Sequence, residues 1–251
     1  VLDKKLPVML EREPLVEAVC EIRMQPGVAL SDILPGILFH ELTPKPVITR
    51  LPAANIPSPM RAQDPSLHYA ATQRLDVDGY VIAIGDRNII ISCGRRPYPK
   101  WSGFKEKILY IVGLVSGMEI APEVERFSLK YVNIIQSSTL SEQISKIDMD
   151  LRIGSLEVNN ENINLTITNI QESVAHILTI ATGAEGAVPG GRMVRGVLVG
   201  IDSICDIKPV PFNEFSNSWE SELEKLHNVN KDRFFNCLKQ QTIEEMGPTY
   251  G

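Results

Sequence analysis

A chain of 251 residues with a formal net charge of −6 lacks the cationic excess that general nucleic-acid binding needs to displace counterions from phosphates. Its 43% hydrophobic and 22% charged residues are ordinary for a globular protein, and the length buries a core without disulfide staples. No stretch reaches the ~18 apolar residues that span a bilayer, and the first residues lack a secretory signal pattern, so the expectation is a cytoplasmic protein without membrane association.

The segment from Leu15 to Met24 alternates. Ala18, Cys20, Ile22 and Met24 share one face, and Val19, Glu21 and Arg23 the other, the period of a half-buried strand. After Pro26-Gly27 a helix is expected towards Leu42, capped by Ser31 or Asp32, with Pro35 in its first turn where a missing N–H costs little. Pro46, Pro52, Pro57, Pro59 and Pro65, following Pro44, argue for a short strand at 47–51 and then an extended loop without helix. His68 to Leu75, Tyr80 to Ile84 and Asn88 to Cys93 read as an antiparallel meander, joined through Asp76-Val-Asp-Gly79 and Gly85-Asp-Arg-Asn88. Phe104, Ile108, Ile111, Val112 and Val115 then form one helical stripe between Pro99 and Gly117. Glu125 to Gln136 alternates again.

The polar run Ser137 to Ser141 marks a candidate boundary, giving an N-terminal half at 1–137 and a C-terminal half at 138–251 within one compact unit. Strands are expected over Asn162 to Thr168, Val174 to Thr182 and Gly196 to Ile207. A long helix follows from Ser216 or Asn217, with Trp219, Leu223, Leu226, Phe234, Cys237 and Leu238 along one side. Thr242-Ile-Glu-Glu245 has capping-box spacing for a last helical turn. The glycine-rich stretch 183–192 matches neither a P-loop nor a dinucleotide fingerprint and reads as a loop between two strands. Hairpin-linked strands followed by a long helix, twice over, point to the α+β class. The expected architecture is mostly antiparallel sheets with long amphipathic helices on one face, in two sequential α+β halves.

Little in the sequence suggests catalysis. Cys20, Cys93, Cys205 and Cys237 lie apart in apolar patterns and read as buried reduced thiols. His40, His68, His176 and His227 form no metal-ligand pair, and His227 reads as a hydrogen-bonded histidine at the core edge. No metal or cofactor is expected. Asp202 and Asp206 share the polar face of their strand. The densest polar-aromatic cluster is Arg95, Arg96, Tyr98, Lys100 and Trp101, between a strand and a helix. Such residues make interface hot spots, and the acids Glu220, Glu222 and Glu224 lie on the C-terminal helix. The alternative is that Tyr98 and Trp101 seal that helix onto the sheet. The first functional expectation is an interaction protein that binds a protein partner or forms a homo-oligomer. The second is a hydrolase or transferase on a nucleotide or phosphorylated ligand, with Arg95, Arg96 and Arg126 on the phosphate and Asp202 as base or metal ligand. That reading requires these groups to converge in one cleft.

Four stretches carry a resemblance: Pro14 to Arg23; Leu51-Pro-Ala-Ala with Arg61-Ala-Gln-Asp-Pro65; Pro97-Tyr-Pro-Lys-Trp-Ser-Gly-Phe104 with Leu129-Lys-Tyr-Val-Asn133; and the helix of Leu226, His227 and Phe234 closing at Met246-Gly247. Together they resemble a sporadically distributed family of prokaryotic proteins of about this length. The resemblance spans nearly the whole chain and implies one unit. That family has no established activity, so no catalytic residue carries over. Its patchy distribution suggests an antitoxin-like, immunity or defence-associated component.

Overall fold

Period-two alternation dominates this chain, and nine of its alternating segments join a single antiparallel sheet. The computed structural model describes residues 6–93, 98–118, 122–187 and 191–251. In chain order the elements begin β1 (Met9–Leu10), β2 (Leu15–Met24), α1 (Leu30–Glu41), β3 (Val47–Arg50), a 3₁₀ turn (Pro52–Asn55), α2 (Ser58–Gln63), β4 (Ala71–Val77), β5 (Tyr80–Gly85), β6 (Asn88–Cys93) and α3 (Lys100–Ser116). They continue β7 (Val124–Gln136), α4 (Leu140–Ser145), β8 (Arg152–Ile153), β9 (Leu156–Glu157), β10 (Asn164–Gln171), β11 (Val174–Ala187) and β12 (Met193–Val210). The chain closes with α5 (Phe212–Ser218), α6 (Glu220–Asn236), α7 (Gln240–Glu245) and β13 (Pro248–Thr249).

The sheet runs β10-β11-β12-β7-β2-β6-β5-β4-β3. It is continuous across residue 137, because β7 pairs with β2 on one side and β12 on the other. Register decides which side chains meet the helices. Tyr131 lies between Ala18 and Ile201, Leu129 between Cys20 and Ser203, and Phe127 between Ile22 and Cys205. One residue out of step, Lys130 lies between Val19 and Asp202, and Arg126 between Arg23 and Asp206. Successive residues of a strand point to opposite faces. The first set joins the core with α1, α3, α5 and α6, and the second faces away from it.

One cluster holds Ile22, Leu34, Ile82, Phe104, Phe127 and Trp219. A second, at the other end of β12, holds Val197, Val199, Ile201, Phe234, Leu238 and Ile243. All five residues of the stripe expected on α3 are buried. The turns follow the local chemistry: Asp78 and Gly79 take positive φ at the β4–β5 hairpin, as do Glu172 and Ser173 at β10–β11, the mirror-image turn that matches strand twist. The ends of the chain meet where Met9 pairs with Thr249 and Leu10 with Pro248.

Several local expectations are corrected. Pro35 sits in the second turn of α1, not the first. It cannot donate to Ser31, four residues back, and the Gln73 side chain donates to that carbonyl instead at 2.7 Å. Neither Ser31 nor Asp32 is the cap, which is Ala29; the Ser31 hydroxyl donates to Asp86 at 2.5 Å. The proline-rich stretch is not all loop. Pro52 opens the 3₁₀ turn, while Pro57 caps α2 and Pro59 lies in its first turn, where proline is tolerated. α4 carries a complete Thr139–Glu142 capping box at the expected polar boundary. The C-terminal helix starts earlier than expected and is broken at Trp219 into α5 and α6. Thr242 lies inside α7 and donates to the Lys146 carbonyl rather than capping. Residues 183–187 belong to β11 rather than to a loop.

Candidate functional site

Tyr98, just before α3, and Trp101, in its first turn, enter the helix-covered side of the sheet because the buried stripe of α3 fixes its roll. The indole of Trp101 stacks on His227 with centroids 4.1 Å apart and planes 3° from parallel. Its Nε1 donates to both carboxylate oxygens of Glu224, at 3.0 and 2.9 Å. Lys105, one turn along α3, donates to the same carboxylate at 3.0 Å. Glu224 and His227 are three residues apart, so one face of α6 meets one face of α3. Burial pushes the Glu224 carboxyl up, but the bonds from Trp101 and Lys105 outweigh it and hold it below the usual range.

Behind the stack runs a chain of hydroxyls. Tyr131 lies 2.9 Å from His227 Nδ1 and 3.4 Å from the Tyr98 hydroxyl. Burial lowers the His227 pKa from 6.5 to about 4, so the ring is neutral at pH 7. Burial also raises the phenols of Tyr131 and Tyr98 above their ordinary value. Lys100 pairs with Glu13 at 2.8 Å. Tyr98 and Trp101 thus seal α3 and α6 onto the sheet. Arg95 and Arg96 lie outside the described residues.

Arg126 and Asp202 lie on the opposite face. Arg126 pairs with Asp206 at 2.5 Å, the residue beside it in register. Asp202 sits four residues along, beside Lys130, and its buried Oδ1 has no hydrogen-bond partner among the described residues. Burial raises its pKa, against the pull of Lys130. The described candidates therefore divide: Tyr98 and Trp101 on the helix side, Arg126 and Asp202 on the other. They do not line one cleft.

A third constellation, missed in the sequence, joins His176, Ser203 and Asn230. Ser203 Oγ lies 2.7 Å from His176 Nδ1 and 3.2 Å from Asn230 Oδ1. The pairing of β11 with β12 puts His176 directly beside Ser203. Ser203 is wholly buried, so this is a satisfied polar knot in the core rather than an accessible nucleophile. None of the four cysteines is in a disulfide. Burial raises the pKa of Cys20, Cys205 and Cys237, the last to about 11, which keeps them protonated and poorly nucleophilic. Among the described residues no group of three His, Cys, Asp or Glu side chains could hold a metal ion, and no helix is long and apolar enough to cross a membrane.

The two edges of the sheet differ sharply. β3 is four residues long, ends in Arg50, and is bracketed by Pro46 and Pro52. β10 is eight residues long, Asn164-Leu-Thr-Ile-Thr-Asn-Ile-Gln171, with no charge and no proline. Seven of its eight residues are exposed, and Ile170 is 74% exposed. Charge, proline and shortness are what natural edges use to prevent further pairing. β3 has all three and β10 none.

No family model matches the chain, and a comparison with curated proteins finds no match either.

Proposed function

We propose that this protein works by binding other polypeptide chains, and that it joins a second copy of itself along β10. The observation that carries this reading is the unprotected outer edge of that strand. A strand edge presents a row of backbone donors and acceptors ready for another strand. The occupant follows from the sequence of the edge. An antiparallel two-fold centred on Ile167 sets Ile167 opposite its own copy and Thr166 opposite Thr168, both favourable cross-strand pairs. No like charges meet, because the strand has none. An antitoxin-like or immunity role, in which one chain holds another, is the form of this reading that the family resemblance suggests.

Sedimentation velocity tests it. The wild-type chain is expected to form a concentration-dependent dimer. Ile167→Lys and Ile167→Glu alone are each expected to be monomeric, since like charges would then face each other across the two-fold. Mixing the two is expected to restore the dimer, while Val47→Lys on β3 changes nothing. A wild-type chain that stays monomeric at every concentration, or a mixture that does not reassociate, overturns the proposal.

A further inference from the structure

We infer that the pocket between the N-terminal segment and α6 is a binding site for a small carboxylate with an apolar body, and that Lys231 is the counter-ion for its acid group. The pocket has a volume of about 140 Å³. Met9, Leu10, Leu15, Ile201, Phe234 and Phe235 form its apolar walls. A closed cavity of about 150 Å³ with comparable walls holds benzene, which sets the size of the apolar group.

Polar groups interrupt these walls. Tyr98, Tyr131, His227 and Lys231 all line the same space. Lys231 is half-buried, and among the described residues it has neither an ion pair nor a hydrogen bond. Burial pushes its ammonium pKa below the ordinary value, the mark of a cation short of compensation. The acid in the pocket wall, Glu13, is already paired with Lys100 at 2.8 Å. His227 is neutral and supplies no competing charge. A half-buried ammonium beside apolar walls gains most from an anion that brings its own apolar surface.

The hydroxyl chain supplies a second contact. With the His227 proton on Nδ1, that N–H donates to Tyr131, Tyr131 donates to Tyr98, and the Tyr98 O–H is left to donate into the pocket. With the proton on Nε2 the chain runs the other way, Tyr131 donating to Nδ1. A bound carboxylate therefore selects the first tautomer, through groups that keep their protons.

Titration calorimetry on the full chain tests this site independently of the β10 edge. Benzoate is the probe, benzyl alcohol is the ring without the charge, and acetate is the charge without the ring. Benzoate is expected to bind, with both comparators at least about tenfold weaker, the scale of one charge-assisted hydrogen bond. Lys231→Met is expected to erase the preference for benzoate over benzyl alcohol, and Lys231→Arg to keep it. The fluorescence of Trp101, stacked on a ring of the pocket wall, is expected to report the same titration. Absence of benzoate binding, equal affinity for benzoate and benzyl alcohol, or full benzoate binding by Lys231→Met would each overturn the assignment.

Discussion

Trp101 lies flat against His227, 4.1 Å from ring centre to ring centre, while its N–H is held by Glu224. Both contacts join α3 to α6, so the residue is a clasp between helices rather than a free hot spot. Trp101→Ala is expected to destabilise the fold by about 2 kcal/mol, less than a fully buried tryptophan because the ring is half-exposed. In a chain of this size that is a loss of roughly 4–8 °C in Tm. Trp101→Phe keeps a ring on the imidazole and loses the bonds to Glu224, so it should cost about 1 kcal/mol. Thermal unfolding of the two variants checks both. An unchanged Tm for Trp101→Ala would return the residue to the role of an interface contact.

His227 makes stability depend on pH. Its folded pKa is lowered from 6.5 to about 4 by burial, so the unfolded chain takes up a proton first. Its contribution is fully present above pH 6.5 and is lost as the pH falls towards 4, by up to about 3 kcal/mol. His227→Phe keeps a ring beneath Trp101 and cannot titrate. Chemical denaturation of both proteins across this window should show a difference that shrinks or changes sign as the pH falls. A constant difference would mean that the imidazole is not buried as described.

Asp202 has the opposite sign. Its folded pKa is raised by burial, so its favourable contribution is present below the unfolded carboxylate range and is lost as the pH rises through the folded value. At neutral pH it is a half-buried carboxylate with one buried oxygen that finds no hydrogen-bond partner among the described residues. Asp202→Asn should therefore raise Tm at pH 7, by roughly 2–4 °C for each kcal/mol recovered, and the gain should vanish in acid. If the variant is less stable at pH 7, Lys130 is compensating the charge more fully than burial penalises it.

Arg61 and Asp86 form the best-shielded ion pair among those described, with side chains 8% and 15% exposed. The guanidinium meets both carboxylate oxygens at 2.8 Å, and Asp86 also accepts from Ser31 in the first turn of α1. Arg61→Met leaves that carboxylate shielded and without its cation, which should cost about 3–5 kcal/mol. Changing Asp86→Leu as well should recover most of the loss, because no charge is then stranded. Urea denaturation of the single and double variants decides it. A double variant no better than the single one would show that the aspartate matters mainly for anchoring α1.

Strands and the α3 stripe were legible because one physical signal, alternation of apolar residues, was enough to specify them. Leu15 to Met24 and the Phe104 to Val115 stripe needed no partner to be recognised. What escaped were features set by distant residues. Pro35 is tolerated in a second turn because Gln73 takes over the Ser31 carbonyl, and no local pattern announces Gln73. Trp101 was visible as a large aromatic beside a lysine, but its role depends on Glu224 and His227, over a hundred positions away. The pairing of His176 with Ser203 follows from a register that only the folded sheet defines. The β10 edge was written in the sequence as an uncharged strand. Its place at the end of the sheet order was not.

The central position of β7 bears on how the chain is made. Its two neighbours in the sheet are β2, from the first tenth of the sequence, and β12, which is translated only after more than fifty further residues. While the chain emerges from a ribosome, β7 can dock on β2, but its other flank stays bare until β12 arrives. That flank is thirteen residues long and includes Val132 and Ile134. Pairings so far apart in sequence form slowly, and unfinished sheet edges are where nascent chains go astray. A product terminated at 137 is thus expected to precipitate rather than persist as a folded half. Synthesis of this protein should depend on holding chaperones more than its final stability would suggest.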